Sequence, residues 1–279
     1  MIASELAPAK VNLTLHVTGR RADGYHLLDS LVVFTELGDI VSARPARGLS
    51  LSLEGPEAVG LSVGPENLVW RAAQAMGAED LALLLSKTLP LSSGIGGGSS
   101  DAAACLRLIA QMTGKALPSD EQALMLGADV PVCLTRRFCR MEGVGEQVTV
   151  LPPCPDIWLV LVNPRVEVST PKVFHALSQP NNPPMAAKLP QWRDAKALSD
   201  WLKLQRNDLQ IPACNLLPEI SHVLDALSAS SGCLFSRMSG SGATCFGLYG
   251  QEDAARRAAE ALNAACPQWW IRSTGILYQ

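Results

Sequence analysis

The sequence predicts an α+β protein of two domains, and three observations carry that prediction. Residues 9–17 alternate strictly, with Val11, Leu13, Leu15 and Val17 on one face and Lys10, Asn12, Thr14 and His16 on the other. That is the period-two pattern of a half-buried strand. The last third of the chain, stripped of extra helices, reads β-α-β-β-α-β, the split βαβ order. Between the two, Pro152, Pro153 and Pro155 punctuate the chain around Cys154 and mark a boundary, giving domains 1–154 and 155–279.

Taken in order, Asp23-Gly24 reads as a turn, and residues 31–44 and 49–53 as further strands, so the first stretch is mostly antiparallel sheet. A helix over 65–76 opens with Pro65 and Glu66 and closes before Gly77. Residues 80–89 read as a strand and 101–113 as an Ala/Leu-rich helix stopped by Gly114. Ser119 and Gln122 have capping-box spacing for a short helix ending at Gly127. Asp129 follows that helix, two residues before Pro131. Beyond the boundary come a strand (157–163), a helix starting near Thr170-Pro171 and a Pro/Asn-rich loop (179–190). Helices at 195–204 and 218–230, strands at 233–238 and 244–249, a helix at 252–265 and a strand at 269–276 complete the chain. No internal repeat is visible.

Composition removes several function classes. Hydrophobic residues make up 48% of the 279 residues and charged residues 18%, which suits a packed core and not a disordered chain. The net charge is −3 and no run of Lys or Arg exceeds two, so the electrostatic footprint of a nucleic-acid binder is missing. No segment approaches the ~20 apolar residues that span a bilayer, and residues 1–10 carry no secretory signal pattern. The eight cysteines form no Cys-x-x-Cys pair and read as reduced, buried thiols of a cytoplasmic protein. His16, His175 and His222 are too far apart in sequence to suggest a metal site. No obligate protein partner is evident.

The most informative segment is Gly94-Ile-Gly-Gly-Gly-Ser-Ser-Asp101. Glycines bend the backbone tightly and let a ligand approach its N–H groups, and the following helix aims its positive end at the same place. Such a loop suits phosphate. A flexible linker is disfavoured by the apolar flanks, and a Walker P-loop fails because no Gly-Lys-Ser/Thr follows. The dinucleotide fingerprint is nearly met by Gly94-x-Gly96-x-x-Ser99, but its third glycine is replaced. A second glycine segment, Met238-Ser-Gly-Ser-Gly-Ala-Thr244, joins two strands. It is either a plain hairpin turn or a loop that packs near the phosphate site and closes it.

Three segments together, Pro8-Ala-Lys-Val-Asn-Leu13, residues 90–103 and Ser239-Gly-Ser-Gly-Ala243, resemble in order and separation the motifs of the galactokinase/homoserine kinase/mevalonate kinase/phosphomevalonate kinase (GHMP) superfamily. Within it, Gly19-Arg-Arg-Ala-Asp-Gly-Tyr-His26, Leu126-Gly-Ala-Asp-Val-Pro131 and Glu142-Gly-Val-Gly-Glu146 look like the 4-diphosphocytidyl-2-C-methyl-D-erythritol kinases of non-mevalonate isoprenoid biosynthesis. The resemblance implies an N-terminal domain like domain 2 of ribosomal protein S5, a ferredoxin-like C-terminal domain, and an active site in the cleft between them. It also implies ATP as phosphoryl donor, Mg²⁺, and a small cytidylated sugar alcohol phosphorylated on its 2-hydroxyl. The fold likeness to a ribosomal protein carries no implication of RNA binding.

The same resemblance assigns roles residue by residue. Lys10 and Asp129 match the catalytic lysine and general base. Taken alone, Lys10 is an ordinary strand residue and Asp129 a turn residue, although an acidic side chain just past a helix C-terminus sits against the dipole. Asn12, Tyr25, His26 and Phe174 match substrate contacts, Tyr25 and Phe174 offering flat rings to cytosine. Without the match they read as a strand residue, a partly buried Tyr, a surface His and a helix-core Phe. Pro90, Leu91, Ser92, Ser93, Gly94, Ile95, Gly96, Gly97, Gly98, Ser99 and Ser100 match the ATP loop, and Asn67 and Leu68 the adenine side. Helix-start packing explains Asn67 and Leu68 nearly as well, and helix capping explains Ser99 and Ser100. No acidic Mg²⁺ ligand stands clear beside the loop, and Asp101 is expected to point into the first helical turn. The rival readings are another GHMP-type small-alcohol kinase, a dinucleotide-dependent oxidoreductase, and a ligand sensor that has lost catalysis.

Overall fold

A computed structural model describes residues 2–277. The elements in chain order are β1 (Ala3–Asn12), β2 (His16–Arg20), β3 (His26–Pro45), β4 (Ser50–Glu54), α1 (Leu68–Ala75), β5 (Leu81–Ser86), α2 (Gly97–Thr113), α3 (Asp120–Leu126) and α4 (Val130–Thr135). They continue with β6 (Cys139–Gly143), β7 (Gln147–Val150), β8 (Trp158–Asn163), α5 (Thr170–His175), α6 (Ala195–Leu202), α7 (Gln210–Leu216) and α8 (Glu219–Ala229). β9 (Phe235–Met238), β10 (Cys245–Tyr249), α9 (Glu252–Ala265) and β11 (Trp270–Gly275) close the chain. The chain forms two compact units. One holds the segment ending at Lys10 with Leu37–Leu91 and Gly96–Arg136; the other holds Val11–Glu36, Ser92–Ile95 and the described residues from Arg137 on. The division therefore falls within β1 and β3. The prolines at 152–155 occupy the connection between β7 and β8, and both of those strands belong to the second unit.

In the first unit the later part of β3 pairs antiparallel with β5, Ile40 opposite Ser86 through Pro45 opposite Leu81. β4 joins β5 in parallel, an exception to the expected antiparallel sheet. Helix α2 packs against α1 and α4, and its small residues Ala102, Ala103 and Ala104 are fully buried. Small side chains let the helix axis sit close to its neighbours, and Leu106 and Ile109 fill the space further along. α2 starts four residues earlier than expected, within the glycine segment, and its N-cap Gly96 takes a left-handed φ of 66° that glycine adopts without steric cost. α1 starts later than expected. The Asn67 side chain accepts from Val69 N–H and fixes the first turn beyond Pro65. α3 carries the expected capping box on Ser119 and Gln122.

In the second unit β3 pairs with β2 and β6 through its first half, and β6 forms a hairpin with β7 around Gly143. The separate sheet runs β11-β8-β10-β9, antiparallel throughout. That order and the placement of α8 and α9 are the split βαβ arrangement expected from the C-terminal sequence. Val160, Val162, Ile220, Val223, Leu227 and Ile271 form part of its apolar core.

The alternating segment differs from expectation in two ways. It breaks into β1 and β2, because Leu15 turns away to bridge Asn207: Leu15 N–H donates to Arg206 O (2.9 Å) and Leu15 O accepts from Asp208 N–H (2.9 Å). Its polar face is also buried, since Lys10, Asn12, Thr14 and His16 are all 3% exposed or less. Burial of that face is tolerable because the groups are bonded. Asn12 Nδ2 donates to Ser30 Oγ (2.7 Å), and Thr14 Oγ1 accepts from Leu31 N–H (2.8 Å).

Candidate active site

Lys10 projects from β1 and Asp129 stands at the N-terminus of α4. Their Nζ and Oδ2 lie 3.0 Å apart, with the lysine side chain 3% exposed and the aspartate 36%. The two come from distant parts of the sequence and both belong to the first unit. Helix α4 corrects one expectation. Asp129 sits not at the tail of a helix but at the head of the next, whose first turn accommodates Pro131. The dipole there favours a carboxylate instead of opposing it. The Asp129 side chain makes no cap hydrogen bond; it reaches Lys10.

Three side chains brace the carriers of this pair. Glu5 Oε1, on β1, accepts from Arg107 Nε (2.8 Å) and Arg136 Nη1 (2.6 Å). Arg107, on α2, also donates to Cys133 O on α4 (2.9 Å) and Leu6 O on β1 (3.1 Å). The forked guanidinium thus holds strand and helix in one register.

The glycine segment meets the pair directly. A Cβ at Gly96 would lie 3.1 Å from Lys10 Cε, and one at Gly98 would lie 3.6 Å from Leu68 Cδ1. Lys10, Leu68 and the start of α2 are therefore neighbours. Asn67 is committed to α1, capping Val69 N–H and donating to Ser62 O (2.8 Å). Neither Ser99 nor Ser100 caps α2; Ser100 Oγ donates to Pro8 O (2.7 Å). The N–H groups of the first turn have no intrahelical partners, and Gly97, Gly98 and Ser99 supply them.

Under this turn lies a charged cluster that sequence reading missed. Lys87 Nζ donates to Asp101 Oδ2 (2.8 Å) and to Asp39 Oδ2, all three side chains buried. A Cβ at Gly97 would lie 3.1 Å from Lys87 Nζ. Asp39 Oδ1 also accepts from Thr88 N–H (2.6 Å) and Leu89 N–H (2.9 Å). Asp101 does not turn into the first turn of its own helix, as the sequence led us to expect; its Oδ2 accepts from Lys87 instead, because the buried ammonium is the stronger partner. Burial alone would lower the lysine, and the two carboxylates outweigh it and hold Lys87 above its ordinary value. Burial pushes the Asp101 carboxyl up to about 7; Lys87 opposes the shift and the Asp39 charge adds to it. Two carboxylates share one ammonium, so the cluster takes up one further proton readily.

The sign of that shift gives a prediction. An acid whose value rises from 3.8 to about 7 on folding binds its proton more tightly in the native state. Its contribution to stability is present at low pH and is lost as pH rises through about 7. Asp101→Asn, which removes the titration, is expected to flatten the pH dependence of stability across this window. Urea melts of both proteins at several pH values check it; parallel curves would contradict it.

In the second unit, Ser93 and Gly94 pack against the loop between β9 and β10. Ser239 Oγ donates to Gly94 O (3.0 Å) and accepts from Asn12 N–H (3.0 Å), and Thr244 N–H donates to Ser93 O (3.1 Å). A Cβ at Gly94 would fall 2.5 Å from Ser239 O, so only glycine allows the two loops to touch. The second glycine segment is thus more than a hairpin turn: it packs on residues 93–94. Ser92 lines an open groove of about 530 Å³ with Thr170, Lys172 and Leu217, and Thr170 bonds Ser241 (2.7 Å).

Also in this unit, His26 and Phe174 stack with ring centroids 4.6 Å apart at 22°. Tyr25 is 60% exposed, at the mouth of the turn closed by Arg21 N–H to Tyr25 O (2.7 Å). Burial, then the charge of Arg20, lowers His26 below its ordinary value, which favours the neutral ring with one donor and one acceptor. The three aromatic residues thus belong to the second unit, and the Lys10–Asp129 pair to the first.

All eight cysteines are free thiols, five of them buried, and among the described residues no helix is long and apolar enough to cross a membrane. Family models for the GHMP kinases match two stretches of the chain, the N terminal domain over residues 67–136 and the C terminal one over 185–268. The chain is 57% identical over 266 residues to the 4-diphosphocytidyl-2-C-methyl-D-erythritol kinase of Cereibacter sphaeroides (strain ATCC 17025 / ATH 2.4.3), covering 95% of this chain and 96% of that one. It is 54% identical over 280 residues to the kinase of the same name from Ruegeria pomeroyi, covering 99% and 100%. A crystal structure of 4-(cytidine 5'-diphospho)-2C-methyl-D-erythritol kinase superposes with a TM-score of 0.78 at 34% identity, over 99% of this chain and 100% of that one. A homoserine kinase from Cytophaga hutchinsonii, at 18% identity and a TM-score of 0.66, shares the fold.

Proposed function

Because the chain belongs to the GHMP kinases, and within them to the family of 4-diphosphocytidyl-2-C-methyl-D-erythritol kinases, we propose that it transfers the γ-phosphoryl of ATP to the 2-hydroxyl of 4-diphosphocytidyl-2-C-methyl-D-erythritol. The observation that carries this reading is the Lys10–Asp129 pair set against Gly96 at the head of α2. A carboxylate beside an ammonium, next to a turn that presents backbone N–H groups, is the equipment for phosphoryl transfer to a hydroxyl.

In this reading the substrate hydroxyl gives its proton to the Asp129 carboxylate as its oxygen attacks the γ-phosphorus. The bond from that phosphorus to the β-γ bridging oxygen breaks, and ADP leaves with the electron pair. Lys10 offsets the negative charge that gathers on the attacking oxygen and the transferring group. The glycine segment holds the phosphates, and Asn67 and Leu68 flank the adenine side. Asn12 contacts the substrate alcohol, and Tyr25, His26 and Phe174 take the cytosine. A neutral His26 suits that base, whose edge presents both a donor and an acceptor.

Mg²⁺ accompanies such a triphosphate and neutralises part of its charge. Among the described residues no group of three His, Cys, Asp or Glu side chains could hold an ion, and Asp101 is engaged by Lys87. The donors present fit an ion that would be held mainly by phosphate oxygens and water, with the Ser99 hydroxyl, inside the loop, as a protein ligand.

Assays with purified protein, ATP and a panel of alcohols test the reading. Turnover with the cytidylated substrate and little with homoserine or mevalonate is expected; preference for either of those would assign a different GHMP activity. Phe174→Ala is expected to raise KM for the cytidylated substrate about tenfold or more, the scale of one lost base–aromatic stack, with KM for ATP within about twofold. Equal rises in both KM values would remove Phe174 from the cytosine.

A further inference from the structure

We propose that Asn207, in the connection between α6 and α7, is a positioning residue that sets the Ser93–Gly94 portion of the phosphate loop from behind, and so tunes nucleotide affinity. The inference rests on the reading of that loop as the ATP site. Asn207 is 8% exposed, and its amide is fully used. Nδ2 donates to Met238 O (2.8 Å) and Gly240 O (2.9 Å), while Oδ1 accepts from Leu209 N–H (3.0 Å). The two acceptors flank Ser239, the residue whose hydroxyl meets Gly94 O and Asn12 N–H. Asn207 is itself held on both sides, by the backbone bonds of Arg206 and Asp208 to Leu15 and by Asp208 Oδ2 accepting from Val17 N–H (2.8 Å).

The layers behind the loop therefore run from the bend between β1 and β2, through Asn207, to the β9–β10 turn, and from that turn to Gly94. At the last contact there is no slack. A Cβ at Gly240 would lie 2.7 Å from Gly94 O. Moving the turn by a few tenths of an ångström moves Gly94 with it, because closely packed backbone has no void to absorb the shift. The amide is the side chain this place requires. Two carbonyl oxygens need two donors from one direction, and Leu209 N–H needs an acceptor from the same group. Aspartate matches the shape and keeps the acceptor, but it turns an oxygen toward two carbonyl oxygens.

Asn207→Asp and Ser239→Ala test the proposal, with folding followed by circular dichroism and binding by calorimetry. The probes are a non-hydrolysable ATP analogue and, separately, cytidine diphosphate. Asn207→Asp is expected to weaken the ATP analogue about tenfold and Ser239→Ala about threefold, on the scale of hydrogen bonds lost from buried groups. Cytidine diphosphate affinity is expected to stay within about twofold of the unsubstituted protein. The double variant is expected to bind no worse than Asn207→Asp alone, because both changes act on one turn. Folded variants that bind the ATP analogue as the unsubstituted protein does would overturn the proposal, as would equal losses for both probes. Should Asn207→Asp fail to fold, Ser239→Ala decides alone. Failure of the unsubstituted protein to bind the ATP analogue is a different result, and it would overturn the kinase reading itself.

Discussion

Asp129→Asn is expected to lower kcat by about two to four orders of magnitude, the range that general-base catalysis contributes, while the affinity for an ATP analogue changes little. The substitution keeps shape and removes the proton acceptor. The surroundings are set to survive it. The Asp129 side chain caps no backbone group of α4, and the Glu5, Arg107 and Arg136 brace that ties α4 to β1 is untouched. Lys10 loses a partner, but an amide oxygen can still accept from it. A change confined to kcat and absent from nucleotide affinity assigns Asp129 to the chemical step. Single-turnover kinetics with both ligands saturating would make that measurement, and near-normal turnover would remove the proposed base.

The largest expected effect on stability belongs to Lys87. Lys87→Met fills similar volume but leaves Asp39 and Asp101 facing each other in the interior, each 3% exposed or less. Removing one partner of a buried ion pair costs about 3–5 kcal/mol, a large share of the roughly 5–15 kcal/mol that stabilises a typical domain. The substitution removes the ammonium that opposes the upward shift of Asp101, so a neutral carboxyl is favoured further. The loss is therefore expected to be largest above neutral pH and smaller in mild acid, where a proton replaces the missing cation. Urea melts at two pH values check this, and a loss independent of pH would show that packing and not charge dominates at Lys87.

Much of the fold was legible because it was written locally. The helix read over 252–265 is α9 with the same bounds, and the Ser119–Gln122 box gave the start of α3. Helices α4 and α7 were not legible because Pro131 and Pro212 lie in their first turns, where proline is tolerated although it usually signals a break. The strand over 9–17 was read as half-buried because period-two alternation tells which residues share a face, and not whether the second face is covered. The hairpin of β6 and β7 turns on Gly143 at a φ of 74°, within the Glu-Gly-Val-Gly-Glu segment noted for another reason.

The same contrast holds at the candidate site. Lys10, Asp129 and the glycine segment were found through motifs, each short and continuous. Lys87, Asp39 and Asp101 form a cluster only because the fold joins positions 48 and 14 residues apart. The available signal was slight: a lone lysine at the end of an apolar strand, and an aspartate within a long one. Asn207 carried no signal, since the acceptors for its Nδ2 are two backbone oxygens of a distant turn.

The most direct test of the account follows the γ-phosphoryl group itself. With γ-labelled ATP, Mg²⁺ and 4-diphosphocytidyl-2-C-methyl-D-erythritol, the label is expected on the 2-hydroxyl of the alcohol, one per molecule, with equal release of ADP. Label found in inorganic phosphate alone, or on another hydroxyl, would contradict it.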